Sequence, residues 1–155
     1  MTTRKSLLSL VVFVSFWPAL IAADPKDDAK EDAKKLQGTW QVAKYIDEEG
    51  EEADATELAH WKFEFKDDEV FIRKTKKDDD IPGFKYRLDV AKKPKAIDVE
   101  MGKPVTEGIY KLDGDELTIC IVSGYRDDKP AARPSEFKAN KQSKYVVFVL
   151  KKVKQ

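Results

Sequence analysis

The chain has 155 residues, of which 41% are hydrophobic and 37% charged, and its 29 basic residues balance 29 acidic ones. This length is enough for one domain with a substantial core, and the balanced charge argues against a nucleic-acid-binding surface. Cys120 is the only cysteine, which excludes an intramolecular disulfide, so the stability of the fold must come from packing. We expect Cys120 to be a small buried hydrophobe in a strand.

The first 23 residues are typical of a secretory signal peptide. Arg4 and Lys5 precede an apolar run over residues 7–16, and small residues follow up to Ala23. Pro18 interrupts the run, which is shorter than the roughly 20 apolar residues of a membrane span. We therefore expect cleavage after Ala23, a secreted or periplasmic location, and no membrane span after cleavage. Loss of the two basic residues leaves 27 basic against 29 acidic residues, a formal charge of about −2.

Residues 24–35 are almost all Asp, Lys, Glu and Ala, with opposite charges at helical spacing. The segment has no apolar stripe that could be buried against a domain. We predict a flexible or weakly helical charged tether here. The folded domain is predicted to begin at Leu36 and to span residues 36–155.

From Leu36 onward, apolar and charged side chains alternate with a period of two, which predicts antiparallel strands with one wet face. The predicted strands are 37–46, 61–66, 69–75, 84–90, 97–101, 106–112, 116–122 and 144–152. Residues 54–60 predict one short helix between strands 1 and 2. Hairpin-length connections favour an all-β fold, an eight-stranded antiparallel up-and-down barrel, over two stacked sheets. The tight turns predict that Phe65 faces Val70 and that Leu112 faces Leu117.

Two of the predicted strands lack charge on both faces, at residues 117–122 and 145–150. Their outer side must be covered, either by the short helix at 54–60, by the loop at 123–143, or by a second copy of the chain. We expect an intramolecular cover. A homodimer or another protein partner bound through these strands is the alternative.

The chain offers little catalytic or metal-binding chemistry. His60 is the only histidine, which removes multi-histidine metal sites, and neither a phosphate-binding glycine loop nor a nucleophile elbow is present. The acidic residues 78–80 lack the spacing of a calcium loop. We predict no metal, no cofactor and no enzymatic activity.

The longest connection contains Arg133 and Phe137. A loop of about twenty residues in a compact domain is usually functional or disordered. Arg133 has the chemistry to bind a ligand carboxylate or to anchor the loop onto the barrel. We favour anchoring, with Phe137 as the apolar contact of the loop.

Several motifs, taken in order, resemble a small uncharacterised secreted domain that is abundant in planctomycete bacteria. They are KLQGTW at 35–40, KKPKAID at 92–98, GIYKLDGD at 108–115, RPSEF at 133–137 and VLKKV at 149–153. The resemblance implies a lipocalin-like barrel, but that family has no established activity to carry over. Gly38 and Trp40 also resemble the Gly-x-Trp of lipocalins, whose Trp closes one end of the barrel. The resemblance implies a cationic partner for this ring, Lys151 or Lys152.

A barrel of eight strands is either filled by its own side chains or holds one small ligand. The aromatic residues predicted to face its interior, and therefore to contact a ligand, are Trp40, Phe63, Phe65, Phe84, Tyr86, Tyr110 and Phe148. Our hypothesis is a non-catalytic binding module for a small apolar or amphipathic ligand. The alternative is a packed barrel that acts as a protein-interaction or structural module of the cell envelope.

Overall fold

The computed structural model describes residues 25–75, 82–123, 132–142 and 144–154. The predicted signal peptide and the acidic residues 78–80 lie outside this range. Two helices, α1 (Pro25–Leu36) and α2 (Ala55–Leu58), accompany eight strands. The strands are β1 (Gly38–Ile46), β2 (Lys62–Lys66), β3 (Glu69–Arg73), β4 (Phe84–Asp89), β5 (Ala96–Val99), β6 (Thr106–Asp113), β7 (Glu116–Val122) and β8 (Tyr145–Lys152).

The strands form a closed antiparallel barrel in which each strand pairs with its neighbours in sequence. Closure comes from β1, which pairs with β2 on one side and with β8 on the other. The predicted eight-stranded up-and-down barrel is therefore confirmed, as is the single short helix between β1 and β2. The predicted pairs Phe65 with Val70 and Leu112 with Leu117 are also direct partners in the sheet.

The alternating pattern fills the interior as predicted from the strand period. In β2, for example, Phe63 and Phe65 are buried while Lys62 and Lys66 are exposed. A β-bulge between Val42 and Lys44 shifts the alternation of β1 by one residue. Tyr45, rather than Lys44, then packs against the interior core.

The segment predicted as a flexible or weakly helical tether is a regular helix docked on the barrel in the structure. Residues 25–36 form the regular helix α1, and its last residue, Leu36, is fully buried. Asp32 is 6% exposed and is held by two 2.6 Å contacts, to Lys95 Nζ and to the Tyr110 hydroxyl. We predicted a tether because the segment lacks an apolar stripe. The docking was missed because a buried carboxylate, and not an apolar face, holds α1 on the barrel.

The C-terminal end of α1 is capped by the barrel. The last four carbonyl groups of a helix have no partner within the helix, and here each of them accepts a hydrogen bond. From Ala33 to Leu36, the donors are the Gln37 side chain (3.1 Å), the Gln37 backbone N–H (3.3 Å), Lys152 Nζ (2.6 Å) and Trp40 Nε1 (2.7 Å). The charged helix therefore ends directly on the first and last strands of the barrel.

Gly38 and Trp40 have separate structural roles at the point where the charged helix ends and β1 begins. Gly38 has a φ of 104°, a conformation that side chains disfavour, so glycine is required here by backbone geometry and not by crowding. Trp40 is fully buried at the end of the barrel that α1 covers. The Lys152 ammonium lies 5.0 Å from the centre of the Trp40 ring, which confirms the cationic partner that the resemblance implied.

The outer face of β6, β7 and β8 carries a second, smaller apolar cluster of Ile109, Cys120 and Val147. Phe137 packs against this cluster together with Ile46 and Tyr145. The chain itself thus covers the apolar outer side of the strands, through residues of the long connection after β7. The expected intramolecular cover is confirmed for this part of the surface.

Arg133 fastens the same connection to β5 and β6. Its guanidinium group donates a 2.7 Å hydrogen bond to the carbonyl of Gly108 and forms ion pairs with Asp98 (2.7 Å) and Glu107 (3.0 Å). Its side chain is only 16% exposed, so these charges are partly shielded from water. This arrangement confirms that Arg133 anchors the loop and that Phe137 is its apolar contact.

Cys120 should react slowly with a thiol reagent in the native protein. Its side chain is fully buried, and burial raises the pKa of the thiol to about 11, so little thiolate is present at neutral pH. We expect labelling with Ellman's reagent to be complete within the mixing time in denaturant and many-fold slower in buffer. Phe137→Ala should accelerate the native reaction, because it removes part of the cover. Rapid labelling of the unmodified native protein would contradict the intramolecular cover.

Candidate binding cavity at the open end of the barrel

The two ends of the barrel are built differently. At the closed end, α1 lies against the start of β1 and the end of β8, and Trp40, Phe65, Leu117 and Leu150 are almost completely buried. At the opposite end, β1, β3, β5 and β7 finish and β2, β4, β6 and β8 begin. Helix α2 lies in the connection between β1 and β2 at this second end and buries Leu58 in the interior core, but its residues do not line the cavity described next.

A cavity of about 510 Å³ occupies the second end, which we call the open end. Its volume lies within the range of about 300 to 1,000 Å³ that is typical of small-molecule sites. The lining side chains come from the ends of six strands and the connections next to them. They are Tyr45, Phe63, Ile72, Lys74, Thr75, Phe84, Met101, Ile121, Val122, Ser123, Val146 and Phe148.

The lining changes from apolar to polar toward the solvent. Along β3 the inward row continues from the half-buried Ile72 to the exposed Lys74, just beyond the strand end. Along β7 the inward row continues from the buried Ile121 to Ser123 in the same way. Thr75, next to Lys74, adds a second hydroxyl group at the rim. The cavity is therefore amphipathic, with an apolar interior and a rim to which Lys74, Thr75 and Ser123 contribute polar groups.

Aromatic rings form one wall of the cavity. The Phe148 ring centre lies 4.8 Å from that of Tyr45 and 5.2 Å from that of Phe63. Tyr45 also contacts Trp61 at 5.2 Å, and the Lys74 ammonium lies 4.4 Å from the centre of the Trp61 ring. Such ring pairs favour tilted contacts and hold each other in place. Trp61 therefore touches two lining side chains and is positioned to report changes in the cavity.

Tyr45 contributes a neutral polar group to this wall. Burial raises the pKa of its hydroxyl, and the nearby carboxylates of Glu48 and Asp47 raise it further. The phenol therefore stays protonated at neutral pH and can donate or accept a hydrogen bond.

The structure divides the predicted interior residues between the two ends. Phe63, Phe84 and Phe148 line the cavity at the open end. The other predicted residues are Trp40, Phe65, Tyr86 and Tyr110, which are at most 6% exposed and do not line the cavity. At the closed end Phe65 and Tyr86 pack edge to face, with ring centres 5.2 Å apart. These four residues support the barrel floor.

The two loop candidates lie on the outside of the barrel. Arg133 and Phe137 hold the connection after β7 against the outer strand surface and do not line the cavity. The sequence analysis did not identify Tyr45, Lys74, Thr75 or Ser123 as site residues. Lys74 continues the inward row of Val70 and Ile72 within the strand predicted at 69–75. Ser123 continues the inward row of Ile121 just past the strand predicted at 116–122, so the alternation alone places both side chains on the inner face.

The described residues contain no cluster of three or more His, Cys, Asp or Glu side chains placed to hold a metal ion. His60 is exposed, next to the start of β2. Within the same residues, neither helix has the length and apolar character needed to cross a membrane.

No protein-family model, curated protein or solved structure matches this chain. We therefore infer its function from the geometry of the open end.

Proposed function

We propose that this protein is an exported, lipocalin-like binding module that holds a small apolar or amphipathic molecule in the open end of its barrel. The observation that carries this proposal is the cavity of about 510 Å³ with aromatic and aliphatic walls. An apolar molecule gains about 25 cal/mol for each Å² that it removes from water in such a cavity. The predicted signal peptide and the Gly38–Trp40 resemblance support the exported, lipocalin-like part of the proposal.

The difference in packing between the two ends of the barrel also supports a binding role. Trp40, Leu117 and Leu150 are fully buried at the closed end, whereas the half-buried Phe84 and Met101 leave space at the open end. A rigid floor below a preformed cavity reduces the conformational entropy that a ligand must offset on binding. The outer face that prompted the alternative of a protein partner is covered in part by Phe137 and its neighbours.

A ligand of the cavity should raise the melting temperature of the purified protein. At a concentration one hundred times its dissociation constant, it stabilises the native state by about 2.7 kcal/mol, a shift of several degrees for a domain of this size. We expect this shift with members of a panel of alkyl chains, sterols and apolar dyes, measured by differential scanning fluorimetry. Bound ligand should also change the Trp61 fluorescence, and this change should disappear in Trp61→Phe.

A matched pair of variants shows whether the ligand occupies the cavity. Met101→Trp places a large ring in the cavity lining and should weaken binding, whereas Val105→Trp, at an exposed position in the same connection, should not. Both variants should first be shown to fold by circular dichroism. If no panel member shifts the melting temperature and the protein instead elutes as a dimer or captures a protein partner, the interaction-module alternative replaces the proposal.

A further inference from the structure

We infer that the wall of the cavity opens along the seam between β3 and β4, and that a ligand enters and leaves the barrel when this seam opens. The inference rests on the proposed binding function and specifies how the cavity is reached. It follows from the pairing of the strands. Among the described residues, the ladder between β3 and β4 has two residue pairs, Glu69 with Lys85 and Val70 with Phe84. Each of the other seven ladders has four to seven pairs.

The sequence explains why this ladder is short. Pro82 and Gly83 come directly before β4, in the positions that would lie opposite Ile72 and Phe71 if the register continued. Proline has no N–H group to donate to a ladder, and glycine weakens a strand. The strand β4 accordingly begins only at Phe84, whereas β3 continues to Arg73.

The contacts that flank the short ladder are few. On one side the Phe71 ring lies against the backbone of Gly83, where an added Cβ atom would be 2.8 Å from Phe71 Cζ. On the turn side the Tyr86 N–H donates a 2.9 Å hydrogen bond to the carbonyl of Asp68, and Lys85 forms an exposed ion pair with Asp68 at 3.9 Å. An exposed ion pair contributes little to stability. The seam is therefore the part of the barrel wall that separates first in a local opening.

The weak seam borders the cavity. Ile72 on β3 and Phe84 on β4 both line the cavity, one on each side of the seam. Separation of the two strands at this point leads from solvent to the apolar interior beside Phe63, the partner of Ile72 in β2. The ladder on the opposite side of the barrel, between β7 and β8, has seven pairs and keeps the remaining wall in place.

Native-state hydrogen exchange tests the opening of the seam without any ligand. The Tyr86 amide should be compared with the Tyr110 amide, which donates a 2.9 Å hydrogen bond to the carbonyl of Lys95 at the corresponding end of the ladder between β5 and β6. Both tyrosines are buried. We expect the Tyr86 amide to be at least about ten-fold less protected, because it exchanges through opening of the seam. Equal protection of the two amides would overturn the opening.

A disulfide across the seam tests its role in ligand exchange. Glu69→Cys combined with Lys85→Cys places two cysteines directly opposite each other, at a separation that suits a disulfide, and neither position lines the cavity. The oxidised form should bind and release the neutral dye N-phenyl-1-naphthylamine at least about ten-fold more slowly than the reduced form, as measured by stopped-flow fluorescence. The matched bridge, Lys111→Cys with Thr118→Cys between β6 and β7, should leave both rates unchanged.

The outcomes separate the entry route from the binding function. If the bridge between β3 and β4 left both rates unchanged, or if both bridges slowed them equally, entry through this seam would be overturned while the binding cavity would stand. If neither the dye nor any other apolar compound bound to the protein, the proposed function and the entry route that rests on it would both fail. Unequal protection of Tyr86 and Tyr110 would then still show that the seam opens.

Discussion

Trp40→Ala should destabilise the protein strongly, by about 3 to 5 kcal/mol. The Trp40 side chain is fully buried, so truncation leaves a large cavity at the barrel floor. It also removes the indole N–H that donates a 2.7 Å hydrogen bond to the carbonyl of Leu36 at the end of α1. A typical domain is stable by only about 5 to 15 kcal/mol, so this loss is a large share of the total. Urea denaturation and thermal melting should both show it, with a melting temperature lower by roughly 10 to 20 °C.

Two further variants separate the contributions of Trp40. Trp40→Phe keeps most of the ring but leaves the carbonyl of Leu36 without its donor, and should cost less than Trp40→Ala, about 1 to 3 kcal/mol. Lys66→Ala, on the exposed face of β2, should change stability by no more than about 0.5 kcal/mol. If Trp40→Ala unfolded at the same urea concentration as the wild type, the closed end would not depend on the indole.

The barrel was predictable because the sequence features that determine its strands and their pairing are local. Alternation of charged and apolar residues, as in β2 and β4, assigns each residue to a face, and short turns fix which residues pair, as for Phe65 and Val70. These features require no knowledge of distant residues. The observed strands begin and end within two residues of the predicted ones, where local pairing becomes irregular.

The position of the cavity was not predictable in the same way. A period of two assigns Phe63 and Phe65 to the same interior, but it does not give their height along the barrel axis. That height depends on the tilt of the strands and on which end is plugged, both of which are properties of the whole barrel. The structure places Phe63 beside the cavity and leaves Phe65 out of its lining, although they are neighbours on one strand face.

Helix α1 shows a second limit of pattern analysis. A helix without an apolar stripe is expected to remain in water. Here the docking depends on partners that are far away in sequence, because Lys95 and Tyr110 lie 63 and 78 residues beyond Asp32. The order of charges along residues 25–36 gives no sign of which carboxylate will be buried.

The Asp32 carboxylate joins α1 to the barrel wall. One oxygen, Oδ2, accepts hydrogen bonds from both the Lys95 ammonium and the Tyr110 hydroxyl at 2.6 Å. Tyr110 is 1% exposed, whereas the Lys95 side chain is 38% exposed, so water can replace Asp32 at Lys95 more easily than at Tyr110. Burial of Tyr110, followed by its hydrogen bond to Asp32, raises the pKa of its hydroxyl, which remains a donor at all moderate pH values.

Asp32→Ala should therefore destabilise the protein by about 2 to 4 kcal/mol, most of it from the Tyr110 hydroxyl left without an acceptor. Native-state hydrogen exchange should show the first loss of protection in α1, because Asp32 is the buried polar contact of that helix. Adding Tyr110→Phe to Asp32→Ala should recover part of the lost stability, since it removes the hydroxyl that has no acceptor. Asp28→Ala, an exposed position on the same helix, is the matched control and should cost no more than about 0.5 kcal/mol.

The pH dependence gives this prediction a second readout. Burial raises the pKa of Asp32, but the hydrogen bonds from Lys95 and Tyr110 outweigh burial, so the pKa is lowered overall. A carboxyl group with a lowered pKa stabilises the native state above its unfolded pKa of about 3.9, and this contribution is lost as the pH falls through the lower folded value. The stability difference between wild type and Asp32→Asn should accordingly be constant near neutral pH and shrink below about pH 4. A difference that stays the same down to pH 2, or that is absent at pH 7, would show that the ionised carboxylate does not hold α1 on the barrel.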